Sequence, residues 1–372
     1  MAGETTPDRS RLVAIWLFTT AVVVFGLVVV GGATRLTGSG LSITEWKPVM
    51  GVIPPLSADG WALAFQKYQA TTQYQYVNRG MSLAAFQSIY WWEWTHRLLG
   101  RLVGVEFAGP LLAFLALRRI PSRLVVRCFV LLGLGALQGL VGWWMVESGL
   151  EGRVSVAPER LATHLGLALI LYAALIWTGL EAWFGPPRAA RASFWRWAAP
   201  LLAVLVYVQC LLGALVAGNQ AGLVDNDWPL MNGRIFPSDY WIGGALQSLL
   251  HSQAAVQFNH RLMGYTVAIL ALALAVAALG LPKPARPREG GDPGVLSSSA
   301  VLPEKNLGPR LRGDERMKML VFLVAALVIA QAGLGIMTLM AQAPLPLSQM
   351  HQALATIVLG AAVVLAWRGR RA

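Results

Sequence analysis

The sequence predicts an all-α polytopic membrane protein, with eight transmembrane helices arranged as two pseudo-symmetric four-helix bundles. Three observations lead there. The 372 residues are 56% hydrophobic and only 13% charged, where a soluble domain carries about a quarter charged residues. Eight stretches reach the roughly 20 mostly apolar residues that a membrane helix needs. Text in the first half also recurs in the second, with EWTHRLLGR at 93–101 and QFNHRLMGY at 257–265.

The first stretch, 12–31, is long for a cleaved signal peptide, and GGATRLTGSG follows it without a small-x-small cleavage site. Residues 32–92 then form a long external connection. Its aromatic-rich segments WALAFQKYQATTQYQY and MSLAAFQSIYWWEW read as amphipathic helices lying at the membrane interface. Stretches two to four, at 97–117, 124–146 and 161–183, complete the first half. The fifth, 198–217, leads into a second external connection, 218–256, where ALQSLLHSQAAVQF precedes the sixth stretch at 262–281. Residues 282–316 are rich in Pro, Gly, Ser and charge and lack apolar periodicity, so they read as a disordered cytoplasmic insert. Stretches at 318–341 and 345–367 close the chain. The two domains expected are therefore 1–183 and 184–372.

A net charge of +12 raises nucleic acid as a partner. The cations gather in short loops between apolar runs, which marks them as topology signals and excludes nucleic acid. With the N-terminus inside, the inner segments hold 20 Lys and Arg and the outer loops 7, so both termini are expected in the cytoplasm. Cys128 and Cys210 each fall inside an apolar run and make no disulfide framework or CxxC metal site.

The repeat extends beyond the nine-residue strings. After the first stretch comes a Trp-Pro-Gly series (Trp46, Pro48, Gly51), matched after the fifth by Trp228, Pro229 and Gly233. The third and seventh stretches carry ALQGLVGWWM and IAQAGLGIMT. Each half begins inside, so the repeats are parallel, related by an axis along the membrane normal.

His96, His164, His260 and His351 all lie near the outer starts of stretches that run from outside to inside. They are expected at one depth, His96 facing His164 and His260 facing His351. Paired neutral imidazoles between bundle helices suit the axial ligation of heme iron. A small residue follows each histidine by four positions (Gly100, Ala168, Gly264, Ala355), which would let a flat macrocycle lie against the helix. The competing readings are interfacial packing histidines, or a zinc or copper site, for which further Cys, His or carboxylate ligands are scarce. His251 has no matching partner and reads as an exposed loop residue. Arg97, Arg101 and Arg261 sit where they could pair with heme propionates, or else serve as interfacial anchors. Glu93 is one turn before His96, and its counterpart is Gln257. A carboxylate there could accept a proton or stabilise developing positive charge, or could simply favour a helix N-terminus. Glu106, about three turns inside, is an intramembrane carboxylate and so a functional candidate.

These strings resemble heme A synthases, in the form found in proteobacteria and mitochondria. The residues that carry the likeness are GGATRLTGSGLSITEWKPVMGVIPPL, EWTHRLLGR, ATHLG, FNHRLMGY and MHQALA. The likeness covers nearly the whole chain except the N-terminal tail and the 282–316 insert. It implies an enzyme of the cell inner membrane that oxidises a methyl group of heme O to a formyl group, through an alcohol, giving heme A for aa3-type cytochrome oxidases. It further implies that His260 and His351 ligate a resident heme b, that His96 and His164 bind the substrate heme, and that Glu93 is the catalytic acid. The expected partners are heme O, a heme O synthase, an electron acceptor and the lipid bilayer, with a homo-oligomer left open. The chain lacks the cysteine pair that some bacterial members carry in the first external loop, so no thiol-disulfide route is available there. The alternative class is a non-enzymatic diheme electron carrier of the b type. A transporter, which the parallel repeat permits, leaves the four histidines unexplained.

Overall fold

A computed structural model describes residues 7–48, 50–186, 193–280 and 313–371. Among the described residues there is no β-strand, and eight helices are long and apolar enough to cross a membrane. Helices suit this role because they satisfy every backbone group internally, which a lipid environment demands.

The first half comprises α1 (Pro7–Leu36), the short outer helices α2 (Ala58–Gln69) and α3 (Thr72–Tyr76), then α4 (Leu83–Ala116), α5 (Ser122–Leu150) and α6 (Pro158–Phe184). The second comprises α7 (Trp195–Gly218), the short α8 (Ala245–His251), α9 (Gln253–Leu279), α10 (Gly313–Met340) and α11 (Leu345–Gly369). Helix α1 packs on α4 and α6, and α5 on α4 and α6. In the same order α7 packs on α9 and α11, and α10 on α9 and α11. The two rings meet along α6–α7, α6–α11 and α1–α11. One edge differs: α4 and α5 run close over much less of their length than their counterparts α9 and α10.

Small residues allow the close approaches, as is usual between membrane helices. Gly179 of α6 lies against the ring of Phe18, Gly360 of α11 against Tyr172, and Gly218, at the end of α7, against Pro158. Pro158 sits in the first turn of α6, where its missing N–H costs nothing. That helix ends at Gly185, whose φ of +79° is a conformation that glycine adopts without a Cβ clash.

Several boundaries differ from the sequence expectation. The second membrane helix starts at Leu83, not near residue 97, so MSLAAFQSIYWWEW is its first part and not a separate interfacial helix. Ser82 caps it by accepting from the Ala85 N–H, and no breaker intervenes before the apolar run. Phe86, Tyr90 and Glu93 are buried at i, i+4 and i+7 along this segment, one helical stripe. Phe86 and Tyr90 pack with Tyr68 of α2 in a separate aromatic cluster. The first aromatic segment divides at Thr71, which caps α3, and ALQSLLHSQAAVQF divides at Ser252, which caps α9. His251 is the last residue of α8, half-buried and 3.8 Å from a Glu159 oxygen, rather than in a loop. The 282–316 insert falls outside the described residues up to 312, and 313–316 already belong to α10.

Candidate heme-ligand sites

His96, His164, His260 and His351 ride on α4, α6, α9 and α11, and each ring rests against a glycine of the neighbouring helix. A Cβ placed on Gly31 (α1) would lie 2.9 Å from His96 Cε1, and one on Gly142 (α5) 2.9 Å from His164 Cε1. The matching distances are 3.1 Å from Gly213 (α7) to His260 and 2.7 Å from Gly335 (α10) to His351. At Gly31, Gly142 and Gly335 any side chain would force the imidazole to shift, and at Gly213 it would press on the ring.

One turn before three of these glycines stands a glutamine. Gln138 Nε2 is 3.2 Å from His164 Nδ1 and donates to the His164 carbonyl at 3.0 Å. Gln331 repeats the arrangement at His351, with 3.0 and 2.9 Å. Gln209 Nε2 is 3.3 Å from His260 Nε2. The equivalent place in α1 is Leu27; His96 Nδ1 and His260 Nδ1 are both buried without a partner.

His260 and His351 face each other with ring centroids 6.3 Å apart and planes at 79°. Two metal–nitrogen bonds of about 2 Å plus two ring radii make a similar span. His96 and His164 ride on α4 and α6, both of which pack against α1. The oxygens of Gln138, Gln209 and Gln331 are buried without partners. Turned about its amide, each could accept from an imidazole N–H and leave the other ring nitrogen free for iron. Gly100, four residues after His96, opens onto free space. Among the described residues no three His, Cys, Asp or Glu groups gather to hold a bare metal ion. The facing His260 and His351 are thus a pair of donors, which fits axial ligation of a macrocycle.

The expected polar residues form clamps. Glu93 is 2% exposed. Its Oε1 accepts from Arg97 at 2.6 Å, and its Oε2 accepts from the Ser42 hydroxyl at 2.7 Å and the Ile43 N–H at 2.8 Å. Arg97 also donates to the Ile43 and Glu45 carbonyls, and Arg101 to those of Lys47 and Pro48. The loop between α1 and α2 is thus pinned over the start of the apolar part of α4. In the second half Arg261 donates to Gln257 Oε1 at 2.7 Å and to the carbonyls of Asp225, Asp227 and Leu230. Most guanidinium donors expected at propionates serve the loops instead; Arg101 Nη1 and Arg261 Nε remain buried without a partner. Within the second loop, the N–H groups of Gly233 and Asn232 hold the Asp227 carboxyl below its ordinary range. Burial, aided by Asp239, pushes neighbouring Asp225 up. Glu106 accepts from the Thr20 hydroxyl at 3.0 and 3.2 Å, tying α4 to α1 away from the histidines.

Sequence reading passed over the glycine and glutamine cradle. Its signal was in view: Gln-x-x-x-Gly occurs in α5, α7 and α10, at 138–142, 209–213 and 331–335.

Comparison with known proteins extends over the whole chain. Residues 14–291 and 307–363 match the COX15-CtaA family model, described as cytochrome oxidase assembly protein. The chain is 54% identical over 365 residues to a heme A synthase of Caulobacter sp. (strain K31), covering 98% of each. It is 54% identical over 369 residues to that of Caulobacter vibrioides, again covering 98% of each. It is 43% identical over 366 residues to that of Maricaulis maris, with the same coverage.

Proposed function

The chain belongs to the cytochrome oxidase assembly protein family, and from that premise we propose that it is a heme A synthase, oxidising a methyl group of heme O to the formyl group of heme A. The observation that carries this reading is the pairing of four glycine-cradled histidines in a chain whose relatives bear that name over their full length. The electron-carrier alternative is not favoured by those relatives.

We assign residues 184–372 to a resident heme b, with His260 and His351 as axial ligands, and residues 1–183 to the substrate heme, with His96 and His164. Heme b would supply one-electron transfer. Two features support the division. Both second-half histidines have a glutamine at the ring, suited to a permanent cofactor. The first half is loosely closed between α4 and α5, suited to a lipophilic substrate arriving from the bilayer.

Glu93 is the buried carboxylate one turn before His96, and its negative charge would stabilise positive charge developing on the adjacent macrocycle. Its contacts also hold the external loop that keeps water from the site. Arg101 Nη1 and Arg261 Nε are the donors left for propionates; Arg97 acts through its pair with Glu93. The chain would lie in the cell inner membrane with both termini cytoplasmic. A heme O synthase would deliver the substrate and an electron acceptor would remove the electrons; association with a second copy is compatible with this arrangement. The test is expression with a heme O supply, followed by chromatography of extracted hemes. Heme A should appear; heme O and heme b alone would favour the carrier.

A further inference from the structure

We infer that His96 is the displaceable axial ligand of the substrate heme, while His164, His260 and His351 are held as fixed ligands by their carboxamides. This rests on the proposed placement of the substrate heme between His96 and His164. The register is the same in all four helices. A glycine faces the ring, and the residue four positions earlier lies on the same face one turn away. That residue is Gln138, Gln209 and Gln331 in α5, α7 and α10, but Leu27 in α1. Each glutamine reaches its histidine ring. An alkyl side chain cannot, so neither ring nitrogen of His96 is reached by a carboxamide; His260 Nδ1 is also buried without a partner, but Gln209 reaches that ring at Nε2.

Outer-shell hydrogen bonds fix the ring and raise the basicity of a ligating histidine, and losing one typically costs about 10–100-fold in affinity. A resident cofactor benefits from that hold at both faces. A substrate that must enter and a product that must leave need one face that lets go. The unpinned histidine is carried by α4, the helix beside the loosely closed edge of the first half. Ligand hold and helix packing thus weaken at the same place. Release breaks only the iron–nitrogen bond, the electron pair staying on the imidazole.

The test uses the full chain, purified with heme b and loaded with heme O, chemically reduced and titrated with carbon monoxide as the probe. Wild type should bind carbon monoxide at the first-half heme alone. Leu27→Gln should weaken that binding by about 10–100-fold, with the heme becoming fully low-spin. Conversely, Gln331→Leu should open the resident heme to carbon monoxide, an independent arm if Leu27→Gln does not load. A loaded Leu27→Gln protein that binds the gas like wild type overturns the inference, as does a Gln331→Leu protein whose resident heme stays inert. His164→Ala tests the underlying placement separately: if it loads heme O undiminished, the site assignment fails whatever the gas titration gives.

Discussion

Glu93 and Gln257 hold equivalent places in the two halves but face loops of opposite polarity. Both accept from an arginine four residues on, Arg97 at 2.6 Å and Arg261 at 2.7 Å. Beyond that, Glu93 Oε2 receives a hydroxyl and an N–H, whereas Gln257 Nε2 donates to the carbonyls of Ala221 and Val224 at 2.7 and 2.6 Å. The acid in one half and the amide in the other are matched to the backbone each must hold.

It follows that Glu93→Gln is not a neutral exchange. In either orientation of the amide the new NH2 group confronts a donor, the Ile43 N–H or Arg97, and a buried donor without an acceptor costs about 1–3 kcal/mol. Both Glu93→Gln and Glu93→Ala should lower heme A yield while second-half heme b is retained, as read from extracted hemes. An unchanged yield removes Glu93 from the site.

The cradle glycines give a sharper spatial test. In Gly335→Ala the new methyl would lie 2.7 Å from His351 Cε1, so the imidazole must turn away. Heme b per protein should fall by more than half, because the displaced imidazole no longer reaches the ligating position. Gly142→Ala should spare heme b and reduce heme A instead. Equal heme loss from both variants contradicts the division into two sites.

Much of this was readable in the sequence, and the limits have physical reasons. The four histidines stood out because each lies at a helix mouth and two of them, His96 and His260, recur in near-identical strings. The start of α4 did not, since Phe86, Tyr90 and Glu93 form a stripe in a segment too aromatic and polar to score as membrane-spanning. The meaning of Glu93 against Gln257 depends on whether a distant loop offers N–H or carbonyl groups, which composition does not encode. The glutamines were legible only as part of the repeat, since the histidine each one reaches lies on another helix.

Arg35 joins the halves. It donates to the Ala217 and Gly218 carbonyls at 3.0 and 3.4 Å, at the end of α7, where carbonyls lack helical partners and the dipole is negative. Arg35→Ala should lower stability by about 1–3 kcal/mol, measured by thermal unfolding in detergent, with Arg35→Lys recovering part of it. A midpoint unchanged in both variants would show that this contact does not tie the halves together.

The loop between α7 and α8 should loosen in acid. Asp227 accepts from the N–H groups of Asn232 and Gly233 at 2.8 and 3.1 Å, which lowers its carboxyl pKa. With a folded value below the unfolded one, its contribution is complete above the ordinary value of about 3.9 and lost as pH falls through the lower folded value. Protection factors at Asn232 and Gly233, corrected for the intrinsic exchange rate at each pH, should therefore stay high at neutral pH and fall only in strong acid. Asp227→Asn should already show fast exchange at neutral pH; protection equal to wild type contradicts the assignment.

The division of labour between the halves is tested most directly by the heme b content of purified single variants, read from the low-spin bis-histidine absorption spectrum. His351→Ala or His260→Ala should lower resident heme b, while His164→Ala and His96→Ala should keep it and lose heme A formation. Loss of heme b with His96→Ala or His164→Ala, and its retention with His351→Ala, would reverse the two halves.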